Sequence, residues 1–263
     1  MYTHADEHAG MTKAATDNHV PPDTVLVIDI GGSHVKILAT GETEPRTCRS
    51  GKRLTPTQMV AAVQELAEGW TYEAISIGYP GVVGARGPRS EAGNLGSGWV
   101  GFNFSAAFDR PVRIINDAAM QALGNYEGGR MLFLGLGTGL GSALIADRVL
   151  VPLELGQLPY PGGPRLDYVL SQRGLQRLGK KAWRRVVRVL VPVLMEAFLA
   201  DYVVLGGGNA SELKRLPPGT RLGHNQTAFR GGFRLWTLEA VQTLSGDDEH
   251  HIPPLRALEW RLI

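Results

Sequence analysis

The sequence has little cysteine, no long apolar run and no excess of charge of one sign. Its 263 residues include a single cysteine, Cys48, which excludes an intrachain disulfide framework and a cysteine-rich zinc or iron–sulfur site. The 27 basic and 25 acidic residues leave a formal charge of +2, too balanced for a nucleic-acid-binding surface over the whole protein. No apolar stretch reaches the length of a membrane span, and residues 1–23 lack the apolar core of a signal peptide. We therefore expect a cytoplasmic protein without membrane or nucleic-acid partners.

What is present is typical of a globular enzyme, with 43% hydrophobic and 20% charged residues. Predicted strands alternate with predicted helices, which indicates the α/β class. We expect a mobile tail at residues 1–23, an N-terminal lobe at 24–116 and a C-terminal lobe at 117–245. The segment 246–263 has no assigned place. A repeated unit of strand, glycine turn and strand predicts that the two lobes are related and that a ligand binds in the cleft between them.

Two local signals for helices are specific. Thr55, Pro56 and Gln58 form a capping-box pattern that predicts the start of a helix. A second helical pattern runs from Tyr168 to Leu199, and Gly179 is expected to divide it into two pieces.

The repeated glycine turns are "VIDIGGSHVK" and, about a hundred residues later, "LGLGTGLGS". Glycine lets backbone N–H groups approach a phosphate closely, because there is no Cβ in the way. Neither turn fits the P-loop or the dinucleotide fingerprint, since strands are predicted to follow both. Each alone could be a plain hairpin turn, whereas the pair could hold one polyanion from two sides. Asp29 ends an apolar strand and could hold magnesium through water, and Lys36 could contact a phosphate or simply face solvent.

Seven stretches occur together in the order found in one known family: "DIGGSHVK", "GYPGVV", "NLGSGW", "NDAAMQALG", "LGLGTGLGSALI", "LELG" and "LGGG". In these motifs, from about Val25 to Trp236, the sequence resembles the ROK sugar kinases of the actin-like ATPase superfamily. It is most similar to their short polyphosphate glucokinase branch, in which "VLVP" also follows the second glycine turn. The resemblance implies a two-lobed fold of the actin-like (ribonuclease H-like) type, a homodimer, and phosphoryl transfer from polyphosphate or ATP to a hexose, with Mg2+ as cofactor.

The resemblance also implies roles for individual residues. Asp117, which opens a predicted helix, would be the general base that accepts the proton of the attacking sugar hydroxyl; the alternative is that it only caps that helix. The predicted sugar-binding residues are Asn94, Asn116, Glu154, Gln157, Gly78 and Gly81. The predicted donor-binding residues in the first glycine turn and beside it are Asp29, Gly31, Gly32, Ser33 and Lys36. Those in the later turns are Gly137, Thr138, Gly139, Gly141, Gly206, Gly207 and Gly208. Asp29 is the one predicted metal ligand.

Two departures from the family pattern affect the prediction. Gln157 stands where the family has a histidine, and the cysteines that hold structural zinc in many relatives are absent, so no structural zinc is expected. Asn125 occupies the place of a family glutamate. Activity remains the expectation, while the hexose preferred by the protein stays open.

A basic stripe bears on the phosphoryl donor. Arg173, Arg177, Lys181, Arg185 and Arg188 recur at spacings of four and three along a predicted helix. Like charges at this spacing repel each other, which an anionic partner would relieve. The alternative is a solvated helix face. Similarity to polyphosphate users favours a long anionic donor bound by Arg177, Lys181 and Arg185, although ATP stays possible.

Three other functions compete with that of a kinase acting on glucose. A catalytically degenerate sugar-binding protein would fit Gln157 and Asn125. A sugar-responsive repressor would need DNA-reading helices ahead of Val25, where the tail is too short for them. An iron–sulfur activase of the same superfamily would need more than one cysteine.

Overall fold

The computed structural model describes residues 21–160, 162–224, 226–237 and 242–243. Residues 1–20 of the predicted tail and the whole segment 246–263 lie outside this part of the chain. Within the described ranges, no helix combines the length and apolar character needed to cross a membrane.

The first of two large sheets has five strands in the spatial order β3-β2-β1-β4-β7. They are β1 (Val25–Ile30), β2 (His34–Ala39), β3 (Arg46–Arg49), β4 (Ala74–Tyr79) and β7 (Val112–Asn116). The first three strands are antiparallel, and β1, β4 and β7 are parallel. The predicted hairpin at the first glycine turn is therefore confirmed. Gly31 N closes it by donating to His34 O at 2.9 Å.

The second sheet has the order β12-β11-β8-β9-β10-β13. Its strands are β8 (Met131–Leu136), β9 (Leu140–Ala146), β10 (Val149–Leu153), β11 (Tyr202–Gly206), β12 (Thr220–Leu222) and β13 (Gln242–Thr243). Strands β8 and β9 form the antiparallel hairpin predicted at the second glycine turn. A small separate hairpin joins β5 (Val83–Gly84) to β6 (Gly87–Pro88).

Six α-helices complete the described fold: α1 (Pro56–Leu66), α2 (Phe104–Phe108), α3 (Asp117–Asn125), α4 (Asp167–Leu170), α5 (Gln172–Ala197) and α6 (Thr227–Thr237). Helix α1 begins with the predicted capping box, in which Gln58 N donates to Thr55 Oγ1 at 3.3 Å and Thr55 N donates to Gln58 Oε1 at 3.1 Å. Helix α5 is interrupted as predicted at Gly179, whose φ of 73° and ψ of 159° are not helical. Short 3-10 helices span Leu155–Gln157 and Gly208–Glu212.

Successive side chains of β1 point to opposite faces of the first sheet, so the apolar residues of this strand are divided between the two faces. Leu26, Ile28 and Ile30 pack with α1, whereas Val25 and Val27 join the core around α3 and α6. Helix α3 contacts strands of both sheets, and α6 crosses α3 and contacts β1 and β4. The residue that precedes α3 ends a parallel strand, so the start of α3 lies at a strand end, where α/β folds commonly place their chemistry.

Candidate active site

Asp117 is the first residue of α3, and its neighbour Asn116 caps the helix. The Asn116 side-chain oxygen accepts a hydrogen bond from Ala119 N at 3.1 Å, and its Nδ2 donates to Gly81 O at 3.1 Å. The Asp117 carboxylate instead accepts from the adjacent Ala118 N at 2.8 Å. The alternative in which Asp117 serves as the helix cap is therefore wrong, because Asn116 already fills that position.

Burial and neighbouring negative charge make Asp117 an unusually weak acid. Burial is the largest cause of the rise in its pKa to about 7, and the charges of Asp29 and Glu154 raise it further. Two backbone N–H groups, including that of Ala118, oppose this rise. A carboxylate with a pKa near the working pH can take a proton from a substrate and give it up again. The electrostatics thus bring three predicted site residues close to one another.

Asp29 connects these carboxylates to the first glycine turn. It lies opposite Lys36 on β2 and opposite Gly78 on β4. Burial raises the pKa of the Asp29 carboxyl, and the Lys36 charge lowers it. Across the turn, a Cβ added to Gly32 would lie 2.9 Å from the Asn94 side-chain nitrogen. Asn94 therefore packs directly against the turn that is predicted to bind phosphate.

Glycines let the start of α3 approach both sheets. A Cβ on Gly78 would collide with the end of Met120 and lie 3.6 Å from Asp117 Cα. A Cβ on Gly141 would lie 2.7 Å from the Ala118 Cβ. Gly81 supplies the carbonyl that holds Asn116. These close approaches bring the start of α3 against Gly78, which lies opposite Asp29, and against the second glycine turn.

The second glycine turn lies against a third, which is formed by Gly206, Gly207 and Gly208. Gly137 O accepts hydrogen bonds from Gln172 N at 2.8 Å and from Asn209 Nδ2 at 3.2 Å, and Asn209 follows the third turn. Gly207 has a φ of 80°, and a Cβ there would lie 2.6 Å from the Leu136 carbonyl. Thr138 and Gly139 are exposed at the tip of the second turn. The backbone of both turns is thereby held in one fixed arrangement.

Asp167 is a site residue that the sequence analysis missed. Its carboxylate accepts from Leu140 N at 2.8 Å, which fixes the second glycine turn. Its charge also raises the pKa of Glu154, second to burial. Buried Ser142 supports the same region, because its hydroxyl donates to Leu153 O at 2.8 Å and accepts from Leu155 N at 3.1 Å. No local pattern connects positions 140 and 167, since only the tertiary fold brings them together.

The two departures from the family pattern differ in their surroundings. Gln157 is exposed in the short 3-10 helix after Glu154, and its side-chain oxygen accepts a hydrogen bond from Arg165. Asn125 is buried, and its Nδ2 donates to Gln121 O at 2.9 Å and Thr227 Oγ1 at 2.8 Å. Asn125 therefore links α3 to α6, and its presence does not disturb the cleft.

The basic stripe on α5 is not one continuous helical face. Gly179 separates Arg173 and Arg177 from the cations that follow it. Lys180 and Arg184, beside the stripe, form ion pairs with Glu212 at 2.9 and 3.4 Å. Arg177, Lys181 and Arg185 are exposed, and none of them forms an ion pair with a residue that the structure describes. Their predicted role in donor binding stays a prediction.

A cavity of about 1210 Å3 adjoins the cleft on the outer side of β7. Its lining includes the β5–β6 hairpin, Phe102, Pro152 and, at the border of the site, Asn116. None of the glycine turns lines it, so we place the candidate active site at Asp117 rather than in this cavity. Among the described residues there is no group of three or more acids, histidines or cysteines that could hold a metal ion by themselves.

Comparisons with known proteins find similar sequences and similar folds. No model of a protein family matches the sequence. Over 214 residues the chain is 31% identical to the polyphosphate glucokinase of Mycobacterium leprae, an alignment that covers 73% of this chain and 65% of that protein. The chain thus matches somewhat less than two thirds of the length of this relative.

Solved structures show the same architecture. The inorganic polyphosphate/ATP-glucomannokinase of Arthrobacter sp. strain KM matches with a TM-score of 0.69 and 25% identity, over 83% of this chain and 99% of that one. A ROK family glucokinase from Streptomyces griseus, solved with glucose and AMPPNP, matches with a TM-score of 0.64 and 19% identity, over 81% of this chain and 99% of that one. The predicted resemblance to the ROK sugar kinases and the predicted α/β fold of the actin-like type are both confirmed.

Proposed function

We propose that this chain, which has the fold of the ROK sugar kinases and sequence similarity to polyphosphate glucokinases, transfers a phosphoryl group from polyphosphate or ATP to the 6-hydroxyl of glucose. The observation that carries the proposal is the Asp117 carboxylate. It lies at a strand end near Asp29 and the second glycine turn, it is not the helix cap, and its pKa is raised to about 7.

In the proposed reaction Asp117 accepts the proton of the sugar hydroxyl while that oxygen attacks the terminal phosphorus of the donor. A bond forms between the sugar oxygen and phosphorus, and the bond from phosphorus to the bridging oxygen of the donor breaks. The electron pair of that bond leaves with the shortened donor. The proton remains on Asp117 until it is released to solvent, which a pKa of about 7 permits.

The sugar would be held by polar groups from both sides of the cleft. Asn94, Asn116, Glu154 and Gln157 offer amide and carboxylate groups that suit sugar hydroxyls, and Gly78 and Gly81 form the pocket wall. Asn116 keeps one amide hydrogen for a ligand, since its other contacts go to Gly81 O and Ala119 N. Arg165 occupies the Gln157 side-chain oxygen and so leaves the Gln157 amide hydrogens for the sugar.

The donor phosphates would contact backbone N–H groups of the glycine turns, namely Gly31, Gly32 and Ser33, then Gly137, Thr138, Gly139 and Gly141, and then Gly206, Gly207 and Gly208. Asp29 suits a magnesium ion, because Mg2+ is commonly held by one or two carboxylates with water and phosphate oxygens rather than by a full protein cage. When bound, the ion would neutralise charge on the transferring phosphoryl group. Lys36, opposite Asp29, would add a positive charge.

A catalytically degenerate sugar-binding protein remains the second candidate, and Gln157 favours it. Asn125 no longer does, because it has a structural role. We also propose that the protein is cytoplasmic. We further propose that it forms homodimers, and light scattering would measure this oligomeric state.

A coupled assay for glucose 6-phosphate tests the proposal. Purified protein is supplied with glucose, Mg2+ and either ATP or polyphosphate, and a panel of other hexoses identifies the preferred acceptor. Turnover with at least one donor is expected. Glucose binding without turnover by either donor would support the degenerate candidate instead.

A further inference from the structure

A row of cations extends from Asp29 across one face of the first sheet to its edge. In the register of the sheet, Asp29 on β1 lies opposite Lys36 on β2, and Lys36 lies opposite Thr47 on β3. Two residues earlier on β2, His34 lies opposite Arg49. Paired residues share a face, and so do residues two apart on one strand. Lys36, His34 and Arg49 therefore lie on the same face as Asp29.

The chain after β3 returns to the first glycine turn and brings two more cations. Ser50 N donates to Ser33 O at 2.9 Å, which joins the end of β3 to the turn. Lys52 and Arg53 follow, and the Arg53 carbonyl carbon would lie 3.0 Å from a Cβ on Gly96, two residues after Asn94. We call Lys36, Arg49, Lys52 and Arg53 the cationic track.

The track has no evident structural partner. Arg49, Lys52 and Arg53 are exposed, and no ion pair joins them to any residue within the described ranges. The apolar residues of β2, Val35 and Ile37, point to the opposite face, where they pack with α1. Ser50 Oγ, beside the turn, is buried and lacks a hydrogen-bond partner in the described part of the chain.

We propose that the cationic track binds the phosphates of a polyphosphate chain that lie beyond the one being transferred. This inference rests on the proposed kinase function, because the track begins at Asp29, where the terminal phosphate would be. A linear polyanion has no base to occupy a pocket, so its affinity must come from successive ionic contacts, which salt weakens. The track supplies such contacts beside Asp29 and the first glycine turn, whereas the α5 stripe is divided by Gly179.

Two double variants with equal loss of charge separate the two surfaces. Arg49→Gln with Lys52→Gln removes two charges from the track, and Arg177→Gln with Arg185→Gln removes two from α5. Each variant is assayed with long polyphosphate, tripolyphosphate and ATP, and circular dichroism checks its folding. We expect the track variant to raise the KM for long polyphosphate about tenfold, the scale of losing two exposed ionic contacts. Its kinetics with tripolyphosphate and ATP should stay within about twofold of wild type.

The results distinguish this inference from the proposed function. A rise in the KM for long polyphosphate confined to the α5 variant, or found in neither variant, overturns the track and leaves the kinase proposal intact. If neither variant raises the KM, the cations would serve only to protect the edge strand β3 from pairing with a strand of another chain. Binding of long polyphosphate is also measured directly by calorimetry. Binding that the track variant weakens, without turnover in the wild type, would support the track and contradict the kinase proposal. No binding by the wild type would overturn the track.

Discussion

Asn116 caps the helix that Asp117 begins, so two adjacent residues divide two tasks. The Asn116 side chain accepts the hydrogen bond from Ala119 N that a helix start requires, and it also donates to Gly81 O. Asp117 accepts only from the N–H groups of the first residues of its own helix. The carboxylate therefore keeps acceptor capacity for a ligand proton, although it lies in a region whose low polarity and negative charge raise its pKa.

Asp117→Asn should lower kcat by roughly a hundredfold or more, because an amide cannot accept the sugar proton. The KM for glucose should change much less, since the amide keeps its size and hydrogen-bonding capacity. Steady-state kinetics with both donors measure the effect. Asp109→Asn is the matched control, because Asp109 is fully exposed in a left-handed position that asparagine also tolerates. Near-normal turnover of the Asp117 variant would contradict the assignment of the base.

The pH profile should show an acid limb with a midpoint near 7, the pKa of Asp117. The base must be ionised to accept a proton, so kcat/KM falls as the pH drops through this value. Glu154→Gln removes a charge that raises the pKa of Asp117, so it should move the limb to lower pH while raising the KM for glucose. An unchanged midpoint of the acid limb would show that Glu154 does not affect the pKa of Asp117.

The buried Asp117 carboxylate should also destabilise the folded protein at neutral pH. Its folded pKa of about 7 lies above the ordinary 3.8, so the folded state binds more protons between these values. The contribution of the Asp117 carboxyl to the stability of the protein is therefore most favourable below about pH 4. This contribution declines as the pH rises towards 7. Asp117→Asn removes the penalty and should raise the free energy of unfolding at pH 7.5 by on the order of 4 kcal/mol, since each unit of raised pKa costs about 1.4 kcal/mol. Denaturant unfolding at pH 7.5 and pH 5 measures it, and the gain should be smaller at pH 5.

The sequence predicted what depends on neighbouring residues. The strand–turn–strand units, the capping box at Thr55 and the break at Gly179 each follow from local chemistry, and all appear in the structure. The contact of Asp167 with Leu140 could not be predicted, because it joins positions 27 residues apart that share no pattern. Apart from Lys36, the cationic track was missed for the same reason, since only strand register aligns β2 with Arg49. The α5 stripe was visible because it is contiguous in sequence.

Gln157→His should alter the KM values for different hexoses without creating a zinc site. Histidine offers one donor and one acceptor where the glutamine amide, with its oxygen held by Arg165, offers two donors. A change in the ratio of kcat/KM for glucose and mannose is the expected result, and metal analysis should find no zinc. Unchanged kinetics on every hexose would place position 157 outside the sugar site.

The crossing of α3 and α6 should be the point at which the fold tolerates least change. A Cβ on Gly231 would collide with the Met120 carbonyl, which is backbone and cannot move aside alone. Helix propensity by itself predicts that Gly231→Ala stabilises α6 by about 1 kcal/mol. The collision should outweigh this gain and destabilise the protein by about 2 kcal/mol or more, as overpacking does. Gly93→Ala is the control, since its Cβ would meet nothing within 4 Å. Thermal unfolding should show a clear loss for Gly231→Ala and almost none for the control; a stabilised Gly231 variant would mean that the helices cross farther apart than the structure has them.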